Sequence, residues 1–199
     1  MNNKLWPYST PGIPDEMFSR GKIPMTKEEI RVITLAKARL APEQVIWDIG
    51  AGTGSLSVEA ARLAPGGVVY AVEKNPGGLA LITENSRRFG TGNIVPVTGE
   101  APDALSELPA PHRVFIGGSG GRLEEILDCV MNKISLDGRI VINAVTLETT
   151  ARLTAPPEGW RCEMIQLQVS RTVSTGRVHM WRALNPVCVI TLERWRNEI

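Results

Sequence analysis

The sequence predicts a doubly wound α/β fold whose sheet is mostly parallel, with an antiparallel pair of strands at one edge. Short apolar runs between residues 45 and 144 alternate with segments at helical spacing. Strands that alternate with helices form right-handed βαβ units and a parallel sheet. Two long β-branched runs, at 160–170 and 185–194, have no full helix between them. We expect these two runs to form the antiparallel pair.

The elements follow one another with no internal repeat and no linker, so we expect a single domain over residues 1–199. Residues 1–24 are proline-rich and predict an irregular lead-in. Thr26 and Glu29 have the spacing of a capping box, which predicts a helix that begins near Thr26. Strands are predicted at 45–50, 68–74, 93–99, 113–118 and 138–144, and helices at 55–64, 76–89, about 103–107 and 123–134.

Composition argues for an ordinary soluble domain. The 199 residues are 43% apolar and 22% charged, with a net charge of +1, so neither nucleic acid nor a membrane surface is an expected partner. Cys129, Cys162 and Cys188 lack metal-site spacing, and the two histidines are scattered, so no metal site is predicted. The amino terminus does not resemble a signal peptide, and no apolar run is long enough to span a bilayer. We expect a cytoplasmic protein.

A glycine-rich loop with an acidic partner is the strongest functional signal. The first predicted strand runs into Gly50, Gly52 and Gly54, and a helix follows. Glycine permits the tight turn and lets a ligand approach the backbone closely. Glu73 ends the next strand, where a carboxylate can accept hydrogen bonds from ribose hydroxyls. These residues predict a nucleotide-like cofactor.

The spacing of the loop narrows the choice of cofactor. A dinucleotide fingerprint would place its third glycine at position 55, which is serine, and a phosphate-binding P-loop would need a Gly-Lys-Ser/Thr sequence that is absent. Asp48 would repel a pyrophosphate but would attract a cationic sulfonium or orient the loop.

The pattern D-x-G-x-G-x-G, with an acidic residue ending the next strand, resembles the first motif of the Rossmann-like class I methyltransferases. The resemblance implies S-adenosylmethionine as the cofactor. Thr26 would contact the cofactor carboxylate or serve only as a helix cap, and Glu100 would contact the adenine or only lie in its loop. The cofactor-binding residues implied in this way are Thr26, Asp48, Gly50, Ala51, Gly52, Thr53, Gly54, Glu73, Gly99, Glu100 and Ala101.

Further segments resemble one family within this class, the decarboxylating precorrin methyltransferases of cobalamin biosynthesis. They are PGIPDEMF (11–18), PMTKEEIR (24–31), GEAPDAL (99–105), IGGSGGRLEEIL (116–127), INAVTLET (142–149) and NPV (185–187). The resemblance implies methylation of the meso carbon C15 of a precorrin, with loss of carbon dioxide from an acetate side chain. It corresponds to the cobalt-precorrin-7 C15-methyltransferase, or to one half of a fused precorrin-6Y C5,15-methyltransferase. It also implies a homotetramer.

This chemistry explains why no catalytic residue stands out. A meso carbon behaves like an enamine carbon, so alignment with the methyl donor matters more than a strong base. The conjugated macrocycle can itself accept the electron pair that decarboxylation releases.

The substrate carries many carboxylates, so basic residues are candidate ligands. Arg171, Arg177 and His179 lie where the last two predicted strands turn, and we expect them to clamp the carboxylate arms or to form a solvated basic hairpin. Gly117, Gly118 and Ser119 follow the fourth strand, where such enzymes bind substrates; a flexible helix entry is the alternative.

Two other functions are alternatives to this interpretation. A class I methyltransferase acting on RNA or protein amino groups would carry an Asn/Asp-Pro-Pro-aromatic motif after the fourth strand, where this chain has Gly117-Gly118-Ser119-Gly120. An NAD-dependent oxidoreductase would use the same kind of loop, but the position of Gly54 and the lack of a Tyr-x-x-x-Lys set disfavour it.

Overall fold

A seven-stranded sheet forms the centre of the computed structural model, which describes residues 5–195. The strand order is β3-β2-β1-β4-β5-β9-β6, in which β1 to β5 are parallel and β9 is antiparallel to both β5 and β6. The predicted doubly wound fold with an antiparallel edge pair is confirmed. The sheet strands are β1 Val45–Ile49, β2 Val68–Glu73, β3 Ile94–Thr98, β4 Arg113–Ile116, β5 Arg139–Ala144, β6 Trp160–Leu167 and β9 Val187–Arg194.

Helices cover both faces of the sheet, because alternate residues of each strand point to opposite sides. In β1, Trp47 and Ile49 pack with the apolar stripe of the fourth helix, whereas Ile46 packs with the first three helices. Both faces of β1 are therefore buried, as is typical of parallel sheets. The helices are α1 Glu28–Ala38, α2 Ser55–Leu63, α3 Pro76–Phe89, α4 Leu123–Lys133 and α5 Leu147–Arg152. Within residues 5–195, no helix is long and apolar enough to cross a membrane.

The strand order creates a crevice at the carboxyl ends of β1 and β4. The chain winds outward from β1 to β3 on one side, and then returns to β4 and continues to β5 on the other. The loops after β1 and β4 therefore diverge, and in open α/β sheets ligands bind at such a switch point. Gly50 and Gly117 are the first residues after these two strands.

The amino-terminal end of α1 differs from the prediction. The residue that precedes α1 is Lys27, whose side chain makes no capping hydrogen bond, so the capping box of Thr26 and Glu29 is wrong. Asp15 supplies the acceptor instead, since its Oδ1 accepts a hydrogen bond of 3.0 Å from the backbone N–H of Glu28. The helix cap therefore comes from a side chain that is distant in sequence.

Two features were not predicted from the sequence, a second sheet at residues 170–183 and a helix after β5. A hairpin as such was the alternative to a substrate clamp for the segment that contains Arg171, Arg177 and His179. The run predicted as one strand over 160–170 ends at Leu167, and a separate hairpin of β7 (Ser170–Thr175) and β8 (Val178–Ala183) is inserted before β9. The short helix α5 follows β5. The hairpin forms its own two-stranded sheet.

Candidate functional site

A cavity of about 490 Å³ opens at the carboxyl ends of the parallel strands. This volume lies within the range of small-molecule and cofactor sites. The loops after five strands and the segment that enters α1 form its walls. The cavity is lined by residues 23–27, 49–52, 72–75, 99–101 and 117–120, together with Ile30, Ile126, Asn143, Val145 and Val187.

The glycine loop contacts the loop after β4. Gly50, Gly52 and Gly54 have φ angles of +72°, +57° and +73°, in the left-handed region that favours glycine. A Cβ on Gly50 would lie 2.8 Å from both the backbone nitrogen and the backbone oxygen of Gly118. Only glycine at position 50 lets the two loops meet, and their meeting forms the floor of the cavity.

The Glu73 carboxylate is oriented by backbone donors at the edge of the cavity. Its Oε2 accepts a hydrogen bond of 2.9 Å from the N–H of Gly52, and its Oε1 accepts one of 2.8 Å from the N–H of Asn75. Each oxygen keeps another lone pair, so the carboxylate can accept two further hydrogen bonds. A pair of neighbouring ribose hydroxyls supplies two such donors.

Asp48 faces away from this cavity. It is 2% exposed, and it accepts a hydrogen bond from the hydroxyl of Ser57 on α2. Burial raises the pKa of Asp48 to about 6, partly offset by this hydrogen bond. Thr53 and Gly54 also lie outside the lining, where Gly54 is the cap residue of α2. These three residues shape the loop from behind.

An exposed ion pair stands at the opposite end of the cavity from α1. Nζ of Lys74 lies 2.7 Å from Oε1 of Glu100, and both side chains are substantially exposed. Gly99 and Ala101 flank Glu100 in the lining. The pair leaves the second carboxylate oxygen of Glu100 for another hydrogen bond.

A buried arginine fixes the wall that contains Thr26. Arg31 is 0% exposed and binds Oδ1 of Asp15 at 2.8 Å and Oε1 of Glu59 at 2.7 Å. It also donates to the carbonyl oxygen of Thr26. Burial alone would raise the pKa of Asp15, but hydrogen bonds from Arg31 and Arg171 lower it on balance. The network holds the segment before α1 against the cavity.

The structure brings together most of the predicted site residues, but not the basic ones. Gly117, Gly118 and Ser119 line the cavity, whereas Arg171, Arg177 and His179 lie outside its lining. Arg171 donates to the carboxylate of Glu29 at 2.6 and 2.8 Å. It thereby ties the hairpin to α1.

Several lining residues were missed by reasoning from the sequence. Lys27, Lys74 and Asn75 line the cavity and are next to, or two residues from, predicted site residues in the sequence. This proximity could have identified them. Asn143 is a polar residue among the apolar residues 140–144 of β5. Such a residue in a buried strand is a signal of function that the sequence contained.

Nearly the whole length of this fold matches one protein family. Residues 16–194 match the model of the precorrin methyltransferase domain. The chain belongs to the precorrin methyltransferase family. The family and the fold imply an S-adenosylmethionine-type methyl donor.

Individual relatives agree over nearly the full chain. A probable cobalt-precorrin-6B C(15)-methyltransferase (decarboxylating) from Pyrobaculum calidifontis is 44% identical over 94% of this chain and 97% of its own. The crystal structure of a precorrin-6Y C5,15-methyltransferase from Geobacter metallireducens has a TM-score of 0.88 and 42% identity, covering 92% of this chain and 98% of that one. The structure of a precorrin-8w decarboxylase from Methanobacterium thermoautotrophicum has a TM-score of 0.85 and 32% identity, covering 90% and 98%. The first relative is named for cobalt-precorrin-6B, whereas the resemblance in the sequence implied cobalt-precorrin-7.

Proposed function

We propose that this chain methylates C15 of cobalt-precorrin-6B with S-adenosylmethionine and removes carbon dioxide from an acetate side chain of the same substrate. The observation that carries the proposal is the cavity at the switch point of the sheet, with the Glu73 carboxylate oriented at one side and the Gly50–Gly118 contact at its floor. Relatives named for this reaction support the choice of substrate.

The lining fits the proposed cofactor. Glu73 would accept hydrogen bonds from the ribose, and Glu100 with its neighbours Gly99 and Ala101 would bind the adenine. Thr26 and the loop 50–52 would hold the methionyl part, while Asp48, Thr53 and Gly54 support that loop from behind. When bound, the cofactor would supply an electrophilic methyl group, and Gly50 and Gly117, the first residues after the two central strands, would be among the residues that hold it.

The chain's contribution to the reaction is alignment. Gly117, Gly118 and Ser119 have little or no side chain, so they leave room for a flat macrocycle next to the cofactor. The C15 carbon needs no base to become nucleophilic, and holding it in line with the methyl group lowers the barrier by several kcal/mol. Ile126, Val145 and Val187 are apolar residues of the same cavity lining.

The reaction is tested by incubating the full chain with S-adenosylmethionine and cobalt-precorrin-6B and determining the mass of the product. We expect a product that has gained one methyl group and lost one carbon dioxide. Recovery of unaltered substrate by a chain that binds S-adenosylhomocysteine would contradict the proposed substrate. Methylation of RNA or protein by that same chain would favour the competing assignment.

We also propose that the hairpin of β7 and β8 joins copies of this chain into a homotetramer. All six residues of β8 are exposed, and the exposed side chains include Val178, Met180 and Trp181, the last of which is 75% exposed. Val178 and Met180 lie on one face of β8 and Trp181 on the other. A two-stranded hairpin alone is marginally stable in water, and exposed apolar side chains of this kind indicate an interaction surface. A second hairpin offers the same self-complementary surface.

Light scattering after gel filtration tests the assembly. The wild-type chain is expected to elute as a tetramer, and Trp181→Glu is expected to reduce it to smaller species. Leu136→Glu is the matched control, because Leu136 is 77% exposed but lies before β5, outside the hairpin. A monomeric wild-type chain would contradict the proposal.

A further inference from the structure

Asn143 stands in a row of four residues that continue the register of neighbouring strands into the cavity. Val72, Ile49, Ile116 and Ile142 are paired across β2, β1, β4 and β5. The residues that follow these four along the chain are Glu73, Gly50, Gly117 and Asn143, respectively, and all four line the cavity. Neighbouring strands lie about 4.8 Å apart, so Asn143 is roughly 14 Å from Glu73 across the row. Along this row, Asn143 is therefore the lining residue farthest from the Glu73 carboxylate.

A buried threonine fixes the orientation of the Asn143 amide. Oδ1 of Asn143 accepts a hydrogen bond of 2.9 Å from the hydroxyl of Thr34 on α1. Thr34 is 0% exposed, and its hydroxyl also lies 2.7 Å from the Ile30 carbonyl oxygen, so its single proton is shared between that oxygen and Oδ1 of Asn143. Because Oδ1 is turned toward α1, the amide nitrogen is left for the cavity. Within residues 5–195, this nitrogen has no hydrogen-bond partner, so it presents two unused donors.

The surroundings of the amide restrict what it can bind. Ile30, Val145 and Val187 make this part of the lining apolar. The lining contains two cationic residues, Lys27 and Lys74, and Lys74 is paired with Glu100 near the adenine end. The NH₂ group of the Asn143 amide can donate two hydrogen bonds to an acceptor on a ligand. Carboxylates are the abundant hydrogen-bond acceptors on the proposed substrate.

We propose that Asn143 binds the carboxylate of the acetate arm that is lost as carbon dioxide, and that Thr34 is the positioning residue that keeps the amide donors turned toward it. This inference rests on the proposed function. In the step, the bond between the carboxylate carbon and the adjacent methylene carbon breaks. Its electron pair passes into the conjugated macrocycle, which is then protonated, and the carboxylate leaves as carbon dioxide.

A neutral amide suits this step better than a cation would. Negative charge leaves the carboxylate in the transition state, so an arginine or lysine at this position would stabilise the substrate more than the transition state. An amide orients the carboxylate with a weaker ground-state attraction. The apolar side chains around it disfavour the charged carboxylate, which works in the same direction.

The test compares variants of the full chain in the release of carbon dioxide from cobalt-precorrin-6B and in the binding of S-adenosylhomocysteine. Asn143→Ala should slow carbon dioxide release at least about tenfold, because the carboxylate is no longer held in the orientation that the step requires. Asn143→Asp should slow it further, since a second carboxylate replaces the donor. Thr34→Val should reproduce part of the loss, whereas Thr34→Ser should restore the wild-type rate. Affinity for S-adenosylhomocysteine should stay within about twofold in all four variants, which shows that the site is folded.

The results separate the two proposals. If wild-type chain converts the substrate and Asn143→Ala releases carbon dioxide at the wild-type rate, the role of Asn143 is overturned while the proposed function stands. If Thr34→Ser is as slow as Thr34→Val, the positioning role of the Thr34 hydroxyl is overturned. Wild-type chain that leaves the substrate unaltered overturns both proposals.

Discussion

Replacing Gly50 with alanine tests whether the contact between the two loops builds the cavity. The φ angle of Gly50 is +72°, which costs a residue with a Cβ about 1–2 kcal/mol. The new Cβ would also lie 2.8 Å from backbone nitrogen and oxygen of Gly118, atoms that no rotamer change can move. Overpacking of this kind costs about 1–3 kcal/mol. We therefore expect Gly50→Ala to lower the free energy of unfolding by about 2–5 kcal/mol.

Urea unfolding followed by circular dichroism measures this loss, and calorimetry with S-adenosylhomocysteine measures the accompanying loss of affinity. Gly118→Ala is the matched control for stability, because a Cβ on Gly118 would meet nothing within 4 Å. The control should unfold close to the wild type. A Gly50→Ala chain that unfolds within about 0.5 kcal/mol of wild type and binds the ligand equally well would refute the reasoning.

Three further predictions concern charged side chains. Arg31→Met leaves the buried Glu59 carboxylate without its cation and Asp15 with only Arg171, so it should cost roughly 3–5 kcal/mol in chemical unfolding. Lys37→Met, on the same helix but in an exposed pair, should cost about 1 kcal/mol or less, and equal losses would contradict the assigned network. Burial raises the pKa of Asp48 to about 6. Between about pH 4 and 6, Asp48 is therefore protonated in the folded chain and ionised in the unfolded chain. The contribution of Asp48 to the free energy of unfolding falls as pH rises through this window. Relative to wild type, Asp48→Asn should gain up to about 3 kcal/mol between pH 4 and 7 in unfolding experiments, and a constant difference would count against a protonated Asp48. The double variant Arg171→Ala, Arg177→Ala should bind cobalt-precorrin-6B as tightly as wild type, since neither residue lines the cavity. Weaker binding would support the hypothesis that these arginines clamp the substrate carboxylates.

The parts of the fold that were predictable are those determined by local sequence. The loop at 50–54 requires positive φ angles, so its glycines stand out in the sequence, and Glu73 follows at the end of the next apolar run. The βαβ alternation also fixed the parallel part of the sheet. That these residues bind the cofactor, and that one domain spans residues 1–199, stay predictions.

The parts that were missed depend on contacts between distant residues. The cap of α1 comes from Asp15, thirteen residues before Glu28, and no local motif contains that pairing. That the basic hairpin forms a sheet of its own was missed because β8 is exposed on both faces and so lacks the alternation that marks a strand packed on a core. The partner of Arg171 on α1 and that of Asn143 on the same helix become visible only when the chain is folded.

Calorimetric titration of wild type and Glu73→Gln with S-adenosylhomocysteine and with NAD tests the central claim most directly. Glu73 would accept two ribose hydrogen bonds, and the amide of glutamine keeps its shape but provides one acceptor oxygen. We predict tight binding of S-adenosylhomocysteine to wild type, a loss of about tenfold or more in Glu73→Gln, and no tight binding of NAD. Glu107→Gln, an exposed change outside the lining, should bind as wild type does. Equal affinity of Glu73→Gln and wild type, or tight binding of NAD alone, would contradict the account.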